Sequence, residues 1–299
     1  MPKIRSASEY HKTTSYYRDR MTPHYLDWKN QPRLNKIYTH CDPIPLPEKF
    51  EAQSQDLFEL LKQKTVKRES EHSNFEILAL ILRLTLCLTA ESKYSGGTFY
   101  YRSAASAGAL YPTEIYVSVT DIKGLEDGIY HYNVFKHGLT PIRKGDFSGN
   151  IAKIHVPKSP PSRISVFFTS IFFRSAWKYQ DRSYRYHLLD TGHVIENMFL
   201  AMKFLKLQID LSYDFDDEKI NQLLGLDQKK EATLAIAHIL ESNLVLPVRD
   251  NTIEDLSDGI INTSRVSEKE VDYKSIHEIH EAGSKVITKA GPQGHMIDD

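Results

Sequence analysis

The chain has 299 residues, 40% of them hydrophobic, enough for one large domain or two small ones around a substantial core. Its 38 basic and 39 acidic residues leave a formal net charge of −1, so no global field directs it to nucleic acid or to an acidic membrane. Two cysteines, Cys41 and Cys87, make neither a disulfide framework nor a metal spacing and are expected to be inert thiols in a reducing, cytoplasmic setting.

The opening stretch MPKIRSASEYHKTTSYYRDR has no apolar run and is not expected to be a secretory signal. Residues 1–50 are rich in Tyr, Pro and charge, without a sustained period. They read as an extended arm lying on a surface, with Tyr25, Trp28 and Tyr38 as aromatic pegs, because that much aromatic content argues against disorder. Helices are expected over Ser54–Lys64 and Phe75–Thr89, the second apolar nearly all round and therefore buried. The most apolar run, residues 77–88, is interrupted by Arg83 and falls far short of the roughly 20 residues that span a bilayer.

A run of small residues follows Arg102, and then a strand over Glu114–Thr120. GIYHYNVF and GLTPIRK pair as a hairpin, and Arg163–Phe173 reads as a central strand. In RYHLLDTGHVIENMFLAMKFLKL, Leu188, Leu189, Val194, Ile195, Met198, Phe199, Met202 and Leu205 keep helical spacing, and Gly192 in the helix body suggests close packing there. A strand Gln208–Tyr213, a helix Asp216–Leu224 and a strand in ATLAIAHIL follow. Beyond Pro247 the chain turns polar, with a last helix in YKSIHEIHEAGSKV. Helices and strands interleave without a βαβ rhythm, which favours an α+β fold with a mixed or antiparallel sheet flanked by helices. The expected organisation is an arm over 1–50 packed on the core, a main domain over 51–250 and a C-terminal extension over 251–299.

Phosphate-loop patterns are absent, since SAGAL is neither a Walker loop nor GxGxxG. HEIHE, at residues 277–281, looks superficially like a zinc helix, but its histidines are three apart where HExxH needs four, so no metal site is expected. His193, inside an apolar helix, is expected to be a satisfied core residue. Two stretches ask for an explanation. In RSAASAGALYP, small side chains would let backbone N–H groups approach a flat or anionic ligand, with Arg102 as a fixed charge against it. A tight helix–sheet crossing would ask for the same composition. In WKYQDRSYRY, Lys178 and Tyr179 stand side by side after an apolar strand and before the long helix. Desolvation there would favour the neutral amine that a base needs; a solvated, charged turn is the other reading.

Taken together, RSAASAGALYPTEIY, GIYHYN, KYQDRSYRYHLLDTGHVIEN and LLGLD with Glu231 after it resemble the SagB-type thiazoline/oxazoline dehydrogenases, a branch of the FMN-dependent nitroreductase-like superfamily. The similarity runs from about residue 10 to 285 and implies a nitroreductase-like α+β fold. It also implies that Arg102, Ser103, Ala105, Ser106 and Gly108 contact FMN. A phosphate clamp would fall on RESEH, at Arg68, Ser70 and His72, with His72 standing where the family has an arginine. Lys178 and Tyr179 match a catalytic Lys-Tyr pair that deprotonates an azoline ring while the flavin accepts a hydride. The resemblance further implies a homodimer through the helix Arg185–Leu207, and a small or peptide-borne heterocycle as substrate. A cyclodehydratase would be the partner in peptide modification. A general NAD(P)H-dependent nitro- or quinone reductase, or a non-catalytic scaffold, stay open as alternatives.

Overall fold

The computed structural model describes residues 3–19, 24–48, 55–63, 75–155, 160–241, 246–247 and 249–284. The arm contributes helix α1 (Ala7–Thr14) and a short edge strand β1 (Ile44–Pro45). Helices α2 (Leu57–Lys62) and α3 (Phe75–Thr85) precede a hairpin of β2 (Leu88–Tyr94) and β3 (Gly97–Arg102). Next come β4 (Thr113–Val119), β5 (Gly128–Asn133), β6 (Gly138–Lys144) and α4 (Ser148–Ile154). Strand β7 (Ile164–Ile171) runs into α5 (Phe172–Tyr179) and the long α6 (Tyr184–Leu205). The chain continues through β8 (Gln208–Ser212), α7 (Asp217–Leu224), β9 (Glu231–Leu240), α8 (Asp258–Ile261) and α9 (Lys274–Gly283).

Seven of these strands form one sheet in the order β1-β6-β5-β4-β7-β9-β8, with every pairing antiparallel. Both β4 and β7 are buried along their whole length. Side chains alternate across a strand, so each must fill two cores. Ile115, Val117, Val119, Val166 and Phe168 face α3 and α6, meeting Leu78, Ile81, Leu82, Val194, Met198 and Met202. Tyr116, Phe167 and Ile236 face the opposite layer, against Ile151 of α4 and Ile220 and Leu223 of α7. The result is the expected α+β architecture, a sheet with helices on both faces, and the sheet is antiparallel throughout.

Several boundaries differ from the sequence expectation. The helix expected over Phe75–Thr89 stops at Thr85, and Leu88 and Thr89 open a hairpin that apolar patterning did not announce. That hairpin is mostly exposed, so it carries no buried alternation to read. The strand expected through Phe173 ends at Ile171, where α5 begins. Its aromatics still find a core because helical spacing pairs them: Phe172 and Ala176 join Ile4, Tyr10, Tyr184 and Ile276, while Phe173 and Trp177 join Leu110 and Val266. In the arm, Tyr38 is buried as expected, but Tyr25 and Trp28 are 88% and 66% exposed; Ile4, Tyr10 and Leu46 are buried hydrophobic anchors besides Tyr38. The arm is also partly helical rather than extended. Gly192 and His193 face outward. A Cβ at Gly192 would meet nothing within 4 Å, so no close packing explains that glycine in this chain.

Burial holds three histidines neutral: the fully buried His187 and the buried His238 are pushed down to about 3, and the half-buried His280 to about 4. His187 Nδ1 pairs with the Ser170 hydroxyl at 2.8 Å, and His238 sits between the Ser165 hydroxyl and His155 at 2.8 and 2.7 Å. An unfolded histidine titrates near 6.5, so each of these groups binds a proton on unfolding below that pH. The stability tied to their neutral forms is present above about pH 6.5 and drains away as pH falls toward the folded values. Each adds a slope of about 1.4 kcal/mol per pH unit. Urea unfolding midpoints should therefore drop steeply from pH 7 to pH 5, and a flat profile would contradict this assignment.

Candidate active site

The small-residue run is a loop between β3 and β4. Its start is pinned by the Ser103 N–H on the Cys87 carbonyl at 2.9 Å and by the Cys87 N–H on Ser103 Oγ at 3.2 Å. Its centre is held from below by Asp190, a buried residue of α6. The Ser106 hydroxyl donates to that carboxylate at 2.6 Å, the Ala107 N–H donates at 3.1 Å, and Ser106 Oγ accepts the Tyr111 N–H at 2.8 Å. Burial raises the Asp190 carboxyl, while the bonds from Ser106 and Ala107 partly pull it back. The anchoring offsets a backbone cost: Gly108, Ala109 and Tyr111 all have positive φ, at 66°, 53° and 45°. For the two non-glycine residues this costs roughly 1–2 kcal/mol each. Ala105 and Gly108 are exposed, so the loop presents a shelf of backbone and methyl groups.

Lys178 and Tyr179 lie at the C-terminal end of α5, not at a strand end, and both are half-buried. They meet the shelf at one point. A Cβ built on Gly108 would lie 2.8 Å from the Tyr179 hydroxyl and 3.0 Å from Lys178 Nζ. The Tyr179 ring packs on Tyr186 with centroids 4.3 Å apart, and Lys178 Nζ lies 5.5 Å from the Tyr179 centroid. Burial, reinforced by Tyr186 and Asp190, raises the Tyr179 hydroxyl, which keeps it a proton donor at neutral pH. Glycine is favoured at 108 on two counts, the left-handed backbone and a close contact in which a Cβ would push aside the tips of Lys178 and Tyr179. Gly108→Ala should cost about 1 kcal/mol of stability from the backbone alone and displace the two side chains. Equilibrium unfolding, together with the labelling rate of Lys178 by an amine reagent, would register both effects; an unchanged labelling rate would mean the contact is slack.

Beneath the loop lies a buried ionic network. Arg102 was expected to hold a charge against a ligand, but its guanidinium turns inward, donating to the Leu34 and Thr113 carbonyls at 2.5 and 3.4 Å. Burial brings its pKa down to about 10. Glu114 accepts from Arg174 at 2.5 Å and from His131 at 2.7 Å. Burial pushes Glu114 up, and Arg174, His131 and Arg102 more than reverse that, leaving it well below the usual carboxylate range. Arg174, fully buried, also donates to the carbonyls of Arg33 and Tyr111 at 3.0 and 2.9 Å, tying arm and loop together. On the neighbouring strands Lys36 of the arm donates to Tyr116 at 2.6 Å and to Glu231, which also accepts from Thr169 and Ser264 at 2.6 and 2.8 Å.

The structure thus brings Gly108 to Lys178 and Tyr179, keeps Ser103, Ala105 and Ser106 on the same loop as Gly108, and draws Arg102 into the scaffold. Arg68, Ser70 and His72 lie outside the described residues. Asp190, Arg174 and Lys36 were not singled out from sequence. Asp190 stood inside the quoted motif RYHLLD, while the other two carried no local signal. Among the described residues no group of three or more His, Cys, Asp or Glu is placed to hold a metal ion, and no helix is long and apolar enough to cross a membrane.

Comparison with known proteins bears on the fold that carries this site. The trifolitoxin-processing protein TfxB of Rhizobium leguminosarum bv. trifolii is 32% identical over 170 residues, covering 54% of this chain and 46% of that protein. The microcin B17-processing protein McbC of Escherichia coli is 25% identical over 150 residues, covering 45% of this chain and 52% of McbC. The chain therefore spans about half the length of these curated relatives. A solved structure from Anabaena variabilis, assigned to the nitroreductases, superposes with a TM-score of 0.68 at 26% identity, covering 96% of this chain and 55% of that one. Residues 74–238, which carry most of the sheet, the shelf and the Lys178-Tyr179 pair, match the nitroreductase family, and the chain belongs to that family.

Proposed function

We propose that this chain is an FMN-dependent dehydrogenase of the SagB type that oxidises a thiazoline or oxazoline to the corresponding azole. The observation that carries the reading is the contact of Lys178 Nζ and the Tyr179 hydroxyl with the exposed shelf at Gly108. Ala105 and Gly108 leave that shelf open to a flat ring, and a larger side chain at either position would occupy it. Ser103, Ala105, Ser106 and Gly108 would line the flavin through backbone and small side chains, with Arg68, Ser70 and His72 as candidates for its phosphate. Bound there, FMN supplies the acceptor for a hydride. Lys178 removes the proton from the adjacent ring carbon, so one proton and one hydride leave together and the ring becomes aromatic. The Tyr179 oxygen would accept an N–H of Lys178, orienting the amine with its lone pair free for the substrate proton, or its hydroxyl would relay that proton onward. Lys178 then returns the proton to solvent.

The names of the processing proteins TfxB and McbC support a peptide-borne substrate; a cyclodehydratase is the partner chemistry that would make the azoline. Leu188, Leu189 and Phe199, 50%, 61% and 37% exposed on α6, support a homodimer through that helix. The test is purification followed by assay. The protein should be yellow with flavin absorbance, dimeric, and able to convert a thiazoline-containing peptide to a product lighter by two hydrogens. A yellow protein that reduces quinones and leaves the thiazoline untouched would make it a general reductase instead. A colourless protein would make it a scaffold.

A further inference from the structure

The backbone immediately after the Lys178-Tyr179 pair is in a conformation that a non-glycine residue rarely adopts. Gln180 has φ 50° and ψ −138°. Its own N–H closes α5 on the Ala176 carbonyl. Its side-chain amide donates to His24 Nδ1 of the arm at 2.8 Å. The residues that follow are bound to the same arm. The buried Tyr10 hydroxyl donates to the Asp181 carbonyl and accepts the Tyr184 N–H at 3.2 Å. Arg182 donates to the Thr14 carbonyl at 2.8 Å, and its guanidinium lies 4.6 Å from the Tyr16 ring centroid. Arg185 reaches the His11 carbonyl and the Thr14 hydroxyl, each at 2.9 Å. On the other side of the pair, Trp177 donates its indole N–H to the Asp27 carbonyl at 2.8 Å and meets Trp28 edge-on.

The arm therefore grips residue 177 and residues 180–185, on both sides of the pair. We infer that the N-terminal arm is a latch that holds Gln180 in its strained turn and so aims Lys178 and Tyr179 at the shelf. Gln180, Tyr10 and His24 are positioning residues, acting through the pair and not on the substrate. This rests on the dehydrogenase reading for its consequence in turnover, but not for its geometry. The strain supplies a specific signature. A glycine at 180 adopts the same turn freely, so it should no longer need the arm to hold it there.

The test is an epistasis experiment on the full chain. The double substitution Tyr10→Phe and His24→Ala is made in the native background and alongside Gln180→Gly. Three properties are measured: azoline oxidation, the acetylation rate of Lys178 read by peptide mass spectrometry, and flavin content with quinone reduction. In the native background the arm substitutions should lower azoline oxidation about tenfold and change the Lys178 acetylation rate severalfold, with flavin content and quinone reduction unchanged. With Gln180→Gly present, the same arm substitutions should have little effect on either quantity. Equal losses in both backgrounds, no change in either, or loss of flavin and quinone reduction together would overturn the latch. If the acetylation pattern appears as expected and even the unaltered protein oxidises no azoline, the latch stands and the dehydrogenase reading fails.

Discussion

Lys178→Ala should reduce azole formation by roughly 10²–10⁴, the range typical of losing a positioned general base, while flavin content and the oligomeric state stay as they were. The size of the effect follows from what the amine does. In the proposed reaction it removes a proton that the hydride acceptor cannot take. Tyr179→Phe should cost less, because the ring still packs on Tyr186 and only the hydroxyl is lost. Neither change should disturb reduction of an artificial quinone, which needs hydride transfer and no substrate deprotonation. The contrast between the two assays is the measurement that matters. If both activities and the flavin disappear together, Lys178 supports the cofactor site or the fold, and its role as a base is wrong.

The largest effect on stability is expected at Lys36→Ala. The Lys36 amine is fully buried, and burial alone would strip its charge; the Glu231 carboxylate beside it more than compensates and leaves its pKa raised. Removing the amine strands that carboxylate in the core with, among the described residues, the Thr169 and Ser264 hydroxyls still donating to it. Breaking one half of a buried ion pair costs about 3–5 kcal/mol, because the other charge is left without a partner. Removing both charges together, as Lys36→Met with Glu231→Gln, should recover much of that loss. Urea denaturation followed by circular dichroism would compare the two. A single substitution no worse than the double would show that the Lys36–Glu231 pair carries little of the stability that binds the arm to the sheet.

The sequence and the fold agree most closely where periodicity is long. The 3.6-residue spacing from Leu188 to Leu205 reads directly as α6, which buries Val194, Ile195, Met198 and Met202 from that run, and the β-branched run from Ile164 reads as β7, buried along its whole length. The hairpin of β2 and β3 was not legible, since its exposed side chains leave no alternation. The turn into α5 is not legible either, because Phe172 and Phe173 serve a strand or a helix equally well. Which of the two forms depends on partners far away in the chain, Ile4 and Tyr10 for one and Leu110 and Val266 for the other.

The same division runs through the site. By itself, the sequence determined that a small-residue run and an adjacent Lys-Tyr pair exist, because side-chain size and type are local properties. Only the tertiary structure decided that Gly108 meets Lys178 and Tyr179, a contact made across some seventy residues by the packing of loop and helix. Arg102 shows the limit most plainly. Its charge was visible and its direction was not, since a guanidinium can face a ligand or the interior with equal local sequence. Here the carbonyls of Leu34 and Thr113 and the nearby Glu114 turned it inward. Lys36 was less visible still. A lysine in a polar arm reads as solvated until Glu231, nearly two hundred residues on, is folded against it, because a buried charge is tolerated only where the fold brings its counter-charge.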